Sequence, residues 1–70
     1  MENNKLDGRI RKNINIGDVV EIAQKHHQET GELTEGIVKR ILTNAPKHPH
    51  GIKVMTDLGE VGRVKYVILD

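Results

Sequence analysis

Residues 18 to 25, "DVVEIAQK", alternate along their length: Val20, Ile22 and Gln24 fall on one side, and Val19, Glu21 and Ala23 on the other. A period of two is the mark of a half-buried strand. The run "LTEGIVKRILT", residues 33 to 43, continues the pattern but is long for one straight strand, and Gly36 inside it has no side chain to pack. A glycine at such a point predicts a bulge or a bend. Two further runs follow, "IKVMT" at 52 to 56 and "VGRVKYVIL" at 61 to 69. They are joined by "DLGE", where Gly59 suits the left-handed position of a short hairpin turn. Gly62 lies inside the last run, where a small sheet must curve.

The connections read as polar loops. "HHQETGE" contains Gly31, free to take a positive φ, and the segment between Leu42 and Ile52 carries Pro46, Lys47, His48, Pro49, His50 and Gly51. Fifteen of the twenty Ile, Val and Leu residues are β-branched, which favours a pleated surface over a helix. The expected fold is therefore all-β, a small SH3-like or KOW-like barrel of four to five strongly bent antiparallel strands. Its expected core is Val20, Ile22, Val38, Ile41, Ile52, Val54, Val64 and Val67.

Length changes the picture little. Seventy residues support one core, so residues 9 to 70 are read as a single domain, and residues 1 to 8, polar apart from Met1 and Leu6, as a disordered tail. No cysteine is present, and no apolar run reaches the roughly 18 residues of a membrane-spanning helix. The start has no apolar segment after its charges, so a soluble, cytoplasmic protein with no membrane partner is expected.

Candidate chemistry is sparse. Four threonines and Tyr66 are the only hydroxyls, there is no Ser or Cys nucleophile, and the glycines form no phosphate-binding signature, so no enzymatic activity and no cofactor are expected. His26 and His27 would come near His48 and His50 if their loops shared one end of a barrel, and imidazoles suit zinc or nickel. Histidines two apart across a proline do not automatically converge on one ion, and no carboxylate spacing completes a set, so metal binding is a lesser alternative.

Charge points elsewhere. The net charge of +1 hides a segregation: residues 1 to 16 carry +2, residues 17 to 35 carry −4, and residues 36 to 70 carry +3. The leading expectation is a non-enzymatic module that binds RNA or another polyanion, on a ribonucleoprotein for example. The residues expected to carry it are Lys39, Arg40, Lys47, His48, His50, Lys53, Arg63 and Lys65, with the acidic segment facing away. Phe and Trp are absent and Tyr66 is alone, so recognition should follow the backbone rather than base sequence. Protonation of His48 and His50 as pH falls from about 7.5 to 6 should strengthen binding. The alternative is a protein-interaction adaptor that offers residues 18 to 25 as an exposed strand edge to a basic protein partner. The proline and histidine loop also has a purely structural reading: its prolines stiffen it, Gly51 allows a left-handed exit, and its imidazoles satisfy backbone groups.

The run "TGELTEGIVKRILTNAPKHPHGIKV", followed by "GEVGRVKYV", resembles the YwbE-like family of small uncharacterised bacterial and archaeal proteins. The likeness spans roughly residues 9 to 68, and "ILTNAPKHPHGIKV" is its most specific block. It implies a compact β-barrel-like domain and brings no activity with it. This chain departs from the family pattern at Ala45, where serine is common, and at His26 and His27, where a Gln-Asp pair is common. The matching centre of the motif is thus His48, Pro49, His50 and Gly51.

Overall fold

The structure is a computed structural model that describes residues 5–27 and 29–69. It has five strands: β1 (Lys5–Asp7), β2 (Val19–Gln24), β3 (Thr34–Ile41), β4 (Lys53–Thr56) and β5 (Val61–Ile68). Two three-residue 3-10 turns, Arg11–Asn13 and Lys25–His27, are the only helical elements among the described residues. Strands β2, β3, β4 and β5 pair antiparallel in that order, and β5 returns to pair with β2, which closes a four-stranded barrel.

Alternation fills the barrel. Val20 and Ile22 of β2, Val38 of β3, Val54 of β4, and Val64 and Val67 of β5 join Ile14 and Ile52 in one buried cluster, with Ile41 packed against it. Each fully buried aliphatic of this size contributes about 1.5–3 kcal/mol relative to an exposed one. All eight expected core residues are there; Ile14, from the segment before β2, completes them. Thr56 is the one buried polar residue among those described, and its hydroxyl both donates to Glu60 Oε1 (3.3 Å) and accepts the Glu60 amide (3.2 Å).

The bends fall elsewhere than the strand glycines suggested. Val38 pairs with Thr56 and Arg40 with Met55, so Lys39 is an extra residue on β3. Ile22 pairs with Val64 and Glu21 with Tyr66, so Lys65 is an extra residue on β5. Each bulge resets the alternation, so inward residues lie three apart (Val38 and Ile41, Val64 and Val67) and two successive residues face solvent between them. Gly36 and Gly62 mark close approaches instead. A Cβ on Gly36 would lie 2.6 Å from Thr56 Cγ2, and one on Gly62 would lie 2.7 Å from the Ala23 carbonyl oxygen.

Two expectations are corrected. Of the disordered tail read over residues 1 to 8, residues 1–4 lie outside the described structure, whereas Lys5–Asp7 form β1, paired with Tyr66, Val67 and Ile68. The reason is topological: β4 is short and pairs only with residues 61 to 63, which leaves the rest of that edge of β5 for β1. All three β1 residues are exposed, so no hydrophobic signal announced the strand. Residues 18 to 25, read as a free edge, hold β2, which has β3 on one side and β5 on the other. The edge strand of the sheet is β1.

Candidate nucleic-acid interface

The loop from Leu42 to Ile52 is tied down on both sides. The amides of Arg11, His48 and Ile52 donate to the carbonyls of Pro46 (2.9 Å), Arg9 (3.0 Å) and Gly8 (2.9 Å), and Ile10 and Lys47 form an isolated bridge. At its tip the Gly51 amide donates to the His48 carbonyl (3.0 Å), and the His50 amide donates to His48 Nδ1 (3.1 Å). Gly51 then leaves the turn at φ +107°, and a Cβ there would be driven into the Val64 carbonyl. Its φ and its packing both require glycine.

Strand β5 supports this tip from below. Arg63 Nη1 donates to the Gly51 carbonyl (3.3 Å) and Thr43 Oγ1 (3.4 Å), while Lys65 Nζ donates to the His50 carbonyl (3.3 Å). Two cations thereby converge on the histidine turn. Because His48 Nδ1 accepts a hydrogen bond, the ring is neutral with its proton on Nε2. Desolvation first, then the nearby Arg63 and His50, push its pKa below the ordinary histidine value. The charge expected from His48 near pH 6 is therefore displaced to lower pH.

Grooves on this face connect the candidates. One is lined by Ala23, Leu33, His50, Arg63, Lys65 and Tyr66, and its neighbour by Lys25, His50, Lys53 and Arg63, with Lys53 directly opposite Arg63 in the β4–β5 register. His48 joins through its ring, 5.8 Å from that of His50. Lys47 lines one groove with Arg11, Lys12 and Pro46 and another with Arg9, His48 and Pro49, neither of which includes Lys53, Arg63 or Lys65. Lys39 and Arg40 are exposed side by side at the β3 bulge and line none of these grooves. The structure thus brings together His48, His50, Lys53, Arg63 and Lys65 of the eight expected residues.

Sequence reasoning missed Lys25 and Tyr66. Lys25 is the sole cation of the acidic stretch, so summing charge over that third concealed it. The acidic segment does not all face away: Glu21 sits opposite Tyr66, and Asp7 also pairs across from it. Both carboxylates are held by cations. Lys5 Nζ lies 3.4 Å from Glu21 Oε1, and Arg9 bonds both oxygens of Asp7, from its side chain and from its amide. The Arg9 hydrogen bonds lower the Asp7 pKa to about 2 and raise that of Arg9. None of the eight expected residues has a carboxylate partner among the described residues.

The histidines form two separate pairs, His26 with His27 (ring centroids 4.1 Å) and His48 with His50. Among the described residues no three His, Asp or Glu side chains converge. No described helix is long and apolar enough to cross a membrane.

Fold and surface together define a small closed β-barrel with one extra strand and a basic groove system around a fixed loop. Residues 7–67 match the family described as "Uncharacterized conserved protein (DUF2196)", and the chain belongs to that family. It is 44% identical over 63 residues to "Uncharacterized protein YwbE" of Bacillus subtilis (strain 168), which covers 90% of this chain and 97% of that relative. No solved structure matches the chain.

Proposed function

We propose that the protein is a non-enzymatic, cytoplasmic module of SH3-like or KOW-like architecture that binds RNA or a similar polyanion. The face used is that of Lys25, His50, Lys53, Arg63 and Lys65. The observation that carries this reading is the contrast in ion pairing: Lys5 and Arg9 are neutralised by Glu21 and Asp7, while Lys25, Lys53, Arg63 and Lys65 line adjoining grooves with no carboxylate partner among the described residues. Clustered positive charge without internal compensation attracts phosphates, which release condensed counterions as they bind. Roughly four charged contacts, from Lys25, Lys53, Arg63 and Lys65, to a single strand imply that log affinity falls with log salt at a slope of about −2.8, with micromolar or weaker binding at physiological salt. Titration of isotope-labelled protein with short mixed-sequence RNA at low salt tests it: the amides of residues 50 to 53 and 61 to 66 should shift, and those of Lys39 and Arg40 should not. Absence of any shift at millimolar RNA would overturn the reading.

A second reading, the protein-interaction adaptor, now rests on β1. It is a three-residue edge strand whose one neighbour among the described residues is β5, so a partner strand could extend the sheet there. Binding that survives nuclease treatment and is lost when Leu6→Pro unpairs β1 from β5 would favour it.

A further inference from the structure

Two grooves meet at Tyr66. One runs along β1 and includes Lys5, Leu6 and Pro49; the other includes Ala23 and Leu33; both share His50, Lys65 and Tyr66. Lys5 Nζ lies over the tyrosine ring, 5.0 Å from its centroid, and is itself held by Glu21. Lys5 lines only the first of the two grooves; the second has Tyr66 without Lys5. Tyr66 is 44% and Leu33 41% exposed, and the small Ala23 is nearly fully buried between neighbouring strands. The lining thus combines a ring, a leucine and an alanine with Arg63, Lys65 and His50, and Ala23 lies directly across the β2–β5 register from Arg63.

We infer that the groove between Tyr66 and Leu33 receives one nucleobase of a single-stranded nucleic acid, with the adjoining phosphate on Arg63 and Lys65. This rests on the polyanion reading above and narrows it from any polyanion to an unpaired strand. A nucleotide joins a flat apolar face to a negative charge, the same two kinds of group that this lining combines. Stacking on a ring already fixed by Lys5 costs little ordering, and every base has a π-face, so the site is tolerant of sequence. Bases inside a duplex are stacked on one another and do not reach such a pocket.

Tyr66 is the only tyrosine and the chain has no tryptophan, so intrinsic fluorescence reports on this one site. The experiment titrates the full chain at low salt with mixed-sequence single-stranded RNA, the same strand without bases, its duplex, and poly-glutamate, with affinity measured in parallel. The RNA should quench Tyr66 and bind about 5- to 150-fold more tightly than the abasic strand, the value of one stacked base. Duplex and poly-glutamate should bind without quenching. Tyr66→Val should remove the preference for bases while leaving abasic binding unchanged, and Tyr66→Phe should retain it. Equal affinity for RNA and abasic strand overturns the base site alone, and so does quenching by poly-glutamate. It also falls if Tyr66→Val weakens both strands alike. If none of the polyanions binds, the polyanion reading falls and the base site with it.

Discussion

His48 Nδ1 accepts the backbone amide of His50 at 3.1 Å, across a proline. This bond exists only while the His48 ring is neutral, because both nitrogens of an imidazolium are donors. The pKa of His48 is held below its unfolded value, so the unfolded chain takes up its proton first as pH falls. Stability from this group is complete above about pH 6.5 and is lost as pH drops toward the folded pKa. Thermal midpoints measured from pH 7.5 downward should fall across that window. His48→Asn, whose Oδ1 can accept the same amide without titrating, should flatten the dependence, whereas His48→Ala should lower the midpoint at every pH. Asp7 adds a second, more acidic step: its folded pKa of about 2 lies below the ordinary aspartate value of 3.8, so its contribution is present above 3.8 and fades as pH falls toward 2. Asp7→Asn should remove that step, and added salt should weaken it, since the pair with Arg9 is exposed.

Gly51→Ala should be among the most harmful single substitutions in the loop. It places a Cβ at φ +107° and against the Val64 carbonyl at once, at a cost of about 2 kcal/mol or more. In a chain of this size that lowers the thermal midpoint by roughly 8–16 °C. Gly31→Ala is the comparison: its φ is +79°, but no atom lies within 4 Å of a Cβ there, so it should cost roughly 1 kcal/mol or less. Equal melting shifts for the two would show that the contact with Val64 contributes nothing.

Ile14 and Ile16 are two residues apart, 3% and 61% exposed. Ile14→Ala should cost about 2–4 kcal/mol in chemical denaturation, while Ile16→Ala should stay within about 0.5 kcal/mol. A similar loss at both positions would contradict the packing of the segment that leads into β2.

Removal of single cations should separate the grooved face from the rest of the basic surface. Lys25→Ala or Lys53→Ala should each reduce the magnitude of the salt slope for single-stranded RNA by about 0.7. The double variant Lys39→Ala, Arg40→Ala should leave it unchanged. A larger effect from the β3 pair would place the footprint on the opposite bulge.

Strands β2 to β5 and the buried cluster apart from Ile14, which lies outside any strand, were legible because the inward positions are nearly all β-branched and their alternation is interrupted only twice. The interruptions themselves were not. A bulge at Lys39 or Lys65 leaves no compositional mark, since a lysine is at home in either register, and the visible glycines at 36 and 62 serve close packing between strands. β1 was illegible for a related reason: Lys5, Leu6 and Asp7 are recruited by an unpaired stretch of β5, a property of a distant segment rather than of their own sequence. His50, Lys53, Arg63 and Lys65 could be found from charge and proximity to the loop. Lys25 and Tyr66 reach the same face only through the β2–β5 register, which no local pattern encodes.

The extra residue at Lys65 gives β5 a change of parity halfway along its length. Odd-numbered positions before it and even-numbered positions after it point outward, so Arg63 and Tyr66 share a face that a regular strand would have divided between them. Chain length is therefore more constrained here than residue identity. A neutral polar residue at 65 would lose the bond to the His50 carbonyl and one positive charge but keep the register, whereas deletion of that one position would turn Tyr66 toward the interior and Val67 toward solvent, or force the entire barrel to slip against β2. The separation between Arg63 and Tyr66 along the chain, three residues with one of them looped out, is thus what sets both side chains on one wall of the barrel.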